Sequence, residues 1–120
     1  MDAGEILAAS KIVPVVTVSQ TGQAVALAEC LLNAGMSAIE ITLRSDVAIA
    51  AIENIARDLP QMTLGAGSVR TAEQLQQVQA AGAKFAVSPG SSDALLSKAK
   101  ELAMPFVPGA STPSEMIALL

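Results

Sequence analysis

Residues 37–45 read SAIEITLRS. Taken as a strand, the stretch sets Ile39, Ile41 and Leu43 on one face and Ala38, Glu40, Thr42 and Arg44 on the other, because side chains alternate across a pleated strand. The rest of the chain is too apolar for a sheet wetted on one side: 52% of residues are hydrophobic and 15% charged, and mean hydropathy is +0.51. A strand buried on both faces belongs to a parallel sheet covered by helices. Its second face then carries a carboxylate in mid-strand and a guanidinium at the C-terminal end. Their α-carbons are about 13 Å apart by the strand rise, too far for a simple local ion pair.

Working outward, β-like runs recur at KIVPVVTV (11–18), SAIEITLR (37–44), MTLGAG (62–67), KFAVSPG (84–90) and PFVPG (105–109). Between them, Ala, Leu, Gln and Glu predict helices over about 20–34, 46–58, 71–81 and 92–103. Ala34-Gly35 and Ala81-Gly82 supply glycines for left-handed helix closure. Thr71-Ala-Glu-Gln74 and Thr112-Pro-Ser-Glu115 read as capping boxes, the second with proline at the first helical position. A βα repeat of this kind predicts parallel strands joined by crossover helices. It amounts to four βα units, a fifth strand and the opening of a fifth helix, within a single domain spanning 1–120. Two architectures fit: a small doubly wound sheet, or the first half of a (β/α)₈ barrel. The break-off inside a helix at Leu120 leans towards the half-barrel.

Composition narrows the chemistry. Net charge is −4 with pI near 4.6, which argues against a nucleic-acid or anionic-membrane partner. The N-terminal MDAGEILAAS starts acidic and lacks the basic-then-apolar order of a signal peptide, and no apolar run approaches membrane-spanning length. A cytoplasmic setting is expected. The single Cys30 excludes a disulfide framework and reads as a small buried hydrophobe in a helix. With no histidine there is no Ser-His-Asp or Cys-His constellation, and the scattered carboxylates predict no metal. Acid–base work falls to Glu, Asp or Lys.

Glu40 is the prime candidate. An acid buried on a central strand costs desolvation without structural return unless a partner satisfies it. Arg44, at the strand's C-terminal rim, is as well explained by a solvent-facing loop as by a site. The Gly-rich turn LGAGSVRT (64–71) lets a ligand approach the backbone and places the Ser68 hydroxyl near a helix start. VSPG (87–90) and VPGAST (107–112) fall at the same strand ends, and all three are also ordinary turn chemistry. Lys11 and Lys84 open strands on the opposite face, and Lys98 and Lys100 lie on a helix, so none is placed as a nucleophile.

VPVVTV, AIEITLRS, GAGSV, FAVSPG and VPGASTPSE, in this order and spacing from about Lys11 onward, resemble the 2-keto-3-deoxy-6-phosphogluconate (KDPG) / 4-hydroxy-2-oxoglutarate (KHG) aldolase family. The resemblance implies a (β/α)₈ barrel, often trimeric and therefore a homo-oligomer. It also implies a class I aldolase: a lysine Schiff base without metal or cofactor, cleaving a 2-keto acid to pyruvate and an aldehyde. Glu40 matches the family's general acid/base and Arg44 the arginine that holds the 2-keto acid's carboxylate. Ser68 stands where threonine is usual and keeps the hydroxyl for that carboxylate, and Pro89 matches the proline lining the site. Thr17 stands where many members have arginine. The family's Schiff-base lysine lies on the sixth strand, outside these 120 residues. The expectation is therefore an N-terminal barrel half, with a non-catalytic, self-associating half-barrel that at most binds small 2-keto acids as the alternative.

Overall fold

The computed structural model describes all 120 residues, Met1–Leu120. The βα repeat is borne out: β1 (Val15–Val16), α2 (Thr21–Asn33), β2 (Ala38–Thr42), α3 (Ala48–Asp58), β3 (Thr63–Gly67), α4 (Ala72–Ala80), β4 (Phe85–Val87), α5 (Asp93–Glu101), β5 (Phe106–Val107) and α6 (Pro113–Ala118) follow a short α1 (Ala3–Ser10). All four pairings are parallel, and the strands lie in sequence order, β1-β2-β3-β4-β5. That order separates the two architectures. Right-handed crossovers between successive neighbours put every helix on the same side, as in a barrel wall, whereas a doubly wound sheet requires a reversal of strand order.

The register assigns the two faces. Val15 pairs with Glu40, Glu40 with Gly65 and Gly65 with Phe85, so these share the inner face. Ile39, Ile41, Leu64, Ala66 and Ala86 point the other way and join the helices in one core of 21 buried residues. On α3 the buried residues Ala48, Ala51, Ile52 and Ile55 recur at helical spacing and form a single stripe. Burying each isoleucine of that core stabilises the fold by about 1.5–3 kcal/mol before entropy is counted. Phe85 is also buried but stands outside this cluster. Its ring lies over Gly65 on the inner face, where any Cβ would collide with three ring atoms.

Helix ends follow the residues. Gly35 (φ +88°) and Gly82 (φ +107°) take the left-handed conformation expected of them. Thr71 and Thr112 accept from the amides of Gln74 and Glu115 as N-caps. The reciprocal bonds reach one residue further back than in a standard box: Gln74 accepts from the Arg70 amide and Glu115 from that of Ser111.

Two expectations need correction, and one helix was not anticipated. Residues 3–10 form α1, whose start at Asp2 and Glu5 is itself a complete capping box. Cys30 is exposed: the core side of α2 is marked by Ala24 and Ala28, and two residues beyond Ala28 is about 200° further round the helix. The outer strands are shorter than their apolar runs. Pro14, Pro105 and Pro108 have no N–H, and Pro14 and Pro105 enter the ladder only as acceptors from Glu40 and Ala86. No helix is long and apolar enough to cross a membrane.

Candidate active site

The C-terminal ends of the strands gather the polar groups. Glu40 is 9% exposed, and its carboxyl end lies over Gly67 on β3: a Cβ there would fall onto Oε1 and sit 2.8 Å from Cδ. The glycine that sequence reasoning reserved for an approaching ligand is occupied by the chain's own acid. No side-chain hydrogen bond or ion pair satisfies Glu40, the chain's two ion pairs being Arg57–Asp58 and Lys98–Glu101. Burial pushes its carboxyl above the ordinary value, with the positive charge of Arg44 pulling the other way.

Arg44 is exposed just beyond β2 and donates from Nε to Ser68 Oγ at 3.1 Å. Ser68 holds φ +58°, a left-handed conformation costing a side-chain-bearing residue about 1–2 kcal/mol. Such conformations persist where the surroundings fix them and cluster at functional sites. The turn after β3 thus turns the Ser68 hydroxyl back towards β2. Beside them, Thr17 Oγ1 and Thr42 Oγ1 lie 2.6 Å apart. Thr17 follows β1 and Thr42 closes β2, so the pair sits one strand over from Gly67. Ser45, next after Arg44, has the single buried side-chain oxygen without a hydrogen-bond partner.

Further along the rim, Ser88 Oγ donates to the Gly90 carbonyl at 2.6 Å and tightens the loop after β4. Pro89 is exposed at its tip, and its carbonyl packs where a Cβ on Gly109 would lie, tying this loop to the one after β5. The structure therefore brings Glu40, Arg44 and Ser68 together and puts Pro89 on the same rim, two strands away. No three Cys, Asp or Glu side chains form a metal-holding group.

The lysines are elsewhere. Lys84 Nζ donates to the carbonyls of Pro60 (2.8 Å) and Met62 (2.7 Å), below the N-terminal ends of the strands. Lys98 pairs with Glu101 at 2.7 Å on α5. Lys100 borders an apolar groove formed by α1, α5, β5 and α6, lined by Leu96, Met104, Phe106 and Leu119 and remote from Glu40. Lys11 is exposed at the end of α1.

Sequence reasoning had placed Thr17 and Thr42 on their strands without pairing them. The pairing depends on the β1–β2 register, which a single strand's alternation does not reveal.

The comparisons with known proteins bear on the family and the fold. The KDPG and KHG aldolase family model matches residues 3–120. The 2-dehydro-3-deoxy-phosphogluconate aldolase of Dickeya dadantii (strain 3937) is 43% identical over 115 residues, 96% of this chain and 54% of the relative. The KHG/KDPG aldolase of Escherichia coli (strain K12) is 42% identical over the same shares. The chain spans about half the length of these curated relatives. Among solved structures, the KDPG aldolase of Legionella pneumophila, with pyruvate captured at low pH as a covalent carbinolamine intermediate, superposes with a TM-score of 0.94 at 38% identity, covering 98% of this chain and 57% of that one. The 2-keto-3-deoxy-6-phosphogluconate aldolase of Zymomonas mobilis ZM4, with 3-phosphoglycerate, gives 0.91 at 32% identity, covering 98% and 56%. A family model matched over nearly every residue, relatives above 40% identity and a superposable half of an aldolase barrel agree: the chain belongs to the KDPG and KHG aldolase family.

Proposed function

We propose that residues 1–120 form one folding unit, the N-terminal half of a class I aldolase barrel, and that its rim binds a 2-keto acid. The observation that carries this is the convergence of a buried, unpartnered carboxyl with a guanidinium–hydroxyl pair: Glu40 over Gly67, beside Arg44 bonded to Ser68. Arg44 and Ser68 would hold the substrate carboxylate, the charged donor fixing the keto carbon's position. In a Schiff-base aldolase the iminium formed on a lysine amine accepts the electrons of the breaking C3–C4 bond. Glu40 would take the C4-hydroxyl proton in that step and move protons during carbinolamine dehydration. Burial raises its pKa, which makes it a stronger base than a solvated carboxylate. Pro89 would line the far side.

None of the four lysines stands at this rim, so the amine would come from a residue other than these. The expected products are pyruvate and an aldehyde, and the assembly and setting proposed with them are a homotrimer in the cytoplasm. A second reading, a non-catalytic half-barrel that self-associates, is favoured by one observation: β1 and β5 are each paired on one side only, with Ile12 and Val15 more than half exposed beside β1. Light scattering tests the second reading, since a stable monomer at micromolar concentration counts against self-association.

The test of the site is pyruvate titration followed by amide NMR. Shifts should concentrate at Arg44, Ser68 and Gly67 and disappear in Arg44→Ala. Shifts centred elsewhere, or unchanged in that variant, would sink the assignment. Borohydride with pyruvate should leave Lys11, Lys84, Lys98 and Lys100 unmodified by mass spectrometry.

A further inference from the structure

The wall ends at two edges that little protects. β1 pairs only with β2, and β5 only with β4. Along a parallel strand, successive residues turn their backbone N–H and C=O alternately to one neighbour and the other. The Pro14 carbonyl accepts from Glu40, so Val15 turns its backbone groups to the open side of β1. The carbonyls of Pro105 and Val107 accept from Ala86 and Ser88, so Phe106 does the same on β5. The N–H groups that Pro14 and Pro105 lack therefore belong to the paired sides and guard neither edge. Natural edges are also guarded by charge, yet residues 12–22 and 102–114 contain no Asp, Glu, Lys or Arg. What remains is the shortness of both strands and, on the open side of β5, Pro108.

Both edges run into apolar surface. Ile12 and Val15 beside β1, and Met116 and Ile117 on α6, are more than half exposed, and the apolar groove of about 970 Å³ borders β5. Apolar surface of this extent marks an interaction site. The relatives indicate its occupant. This chain superposes at a TM-score of 0.94 on 57% of the Legionella pneumophila aldolase and matches 54% of the Dickeya dadantii relative, so the rest of those proteins has no counterpart among these 120 residues. A second copy fits less well: two five-stranded walls would put a second Glu40 carboxyl into one interior, and buried like charges disfavour each other. Nor would a second copy bring a lysine to the rim, where none of this chain's four stands.

We propose that the open edges of β1 and β5, with the groove beside β5, are a docking surface for a separate polypeptide of parallel βα units. Held without a peptide link, this partner closes the wall and brings a lysine amine to Glu40. The inference rests on the aldolase reading above and adds the partner. The amine adds its lone pair to the C2 carbonyl carbon of the 2-keto acid, and the oxygen takes up protons and leaves as water. The iminium forms with no oxidant or reductant.

The test is co-expression of the affinity-tagged 120-residue chain with an untagged fragment, the part of the Dickeya dadantii aldolase that follows its match to this chain. The fragment should stay in solution and co-purify in equal amount. With pyruvate and borohydride, the pair should carry an adduct on a fragment lysine, and the chain alone none. Val15→Pro removes one donor from the open edge and spares the Pro14–Glu40 bond, so it should weaken capture about two- to tenfold, the worth of one hydrogen bond. Ile117→Asp, at an exposed site on α6, should weaken it as well. Circular dichroism of each variant alone checks that it folds. A fragment that fails to co-purify, soluble or aggregated, overturns the inference and leaves the Arg44 site to its own titration. So does a chain that takes up a second copy in its place, or capture that neither variant weakens. A pair that forms and traps no pyruvate leaves the docking surface standing and overturns the delivery of the amine, and with it the aldolase reading.

Discussion

Replacing Gly67 with alanine puts a methyl carbon where the Glu40 carboxyl now lies. The backbone itself accepts the change, because Gly67 is not among the residues with positive φ. Taken alone, glycine to alanine at such a site stabilises by about 0.4–1 kcal/mol through the unfolded chain. Against this, the new Cβ meets Oε1, with Cδ at 2.8 Å and Cγ at 3.0 Å. Either the side chain swings out of its berth or β2 and β3 separate, and forced repacking of this kind costs about 1–3 kcal/mol. The net loss should be about 1–2 kcal/mol, read by urea unfolding followed by circular dichroism. The decisive comparison is made in a Glu40→Ala background, where every colliding atom is gone. There Gly67→Ala should be neutral or stabilising by up to about 1 kcal/mol, a coupling between neighbours that additive effects do not produce. An equal cost in both backgrounds would refute the idea that Gly67 exists to seat Glu40.

Two further outcomes follow from groups at the same rim. Burial holds the Glu40 carboxyl's pKa above its ordinary value of 4.5, so the folded chain binds that proton more tightly than the unfolded chain does. The associated stability is present below 4.5 and is lost as pH rises through the raised value. Glu40→Gln should accordingly be more stable than wild type at neutral pH, with the advantage shrinking on acidification towards pH 4.5. A pH-independent difference would contradict the burial argument. At Ser68, alanine loses the Arg44 contact and keeps the left-handed strain, whereas glycine loses the contact and relieves the strain. Thermal unfolding should therefore rank Ser68→Gly above Ser68→Ala by about 1–2 kcal/mol, and the reverse ranking would mean that the turn is not strained.

Much of the wall was legible because its signals are local. Alternation along SAIEITLRS assigned the two faces of β2, and the βα spacing placed all five strands and the helices from α2 onward. Glu40, Arg44 and Ser68 could be singled out because a carboxylate in the middle of a buried strand, or a charged or hydroxyl side chain just beyond its C-terminal end, is conspicuous in so apolar a chain. What escaped depended on partners distant in sequence. The Thr17–Thr42 bond and the fit of Glu40 over Gly67 exist only once β1, β2 and β3 are in register. The α1 helix escaped for another reason: its eight residues include Gly4 and spread apolar side chains around the axis, with Ile6 alone buried, so no helical stripe stands out even though Asp2 and Glu5 form a capping box. Cys30 was misplaced because an Ala/Leu-rich helix does not reveal from composition which side faces inward.

Strand order matching sequence order has a kinetic consequence. Val15 meets Glu40, Ala38 meets Thr63, Gly65 meets Phe85 and Ala86 meets Phe106, so every pairing closes a loop of only about twenty to twenty-five residues. Loop-closure entropy is lowest for such contacts, and chains built from them fold faster than those that must unite distant segments. As a ribosome releases the chain, each new strand finds its neighbour already in place and each helix docks onto the wall behind it. Assembly can therefore proceed unit by unit from the N-terminus, and Glu40 is seated as soon as β3 emerges and brings Gly67 alongside.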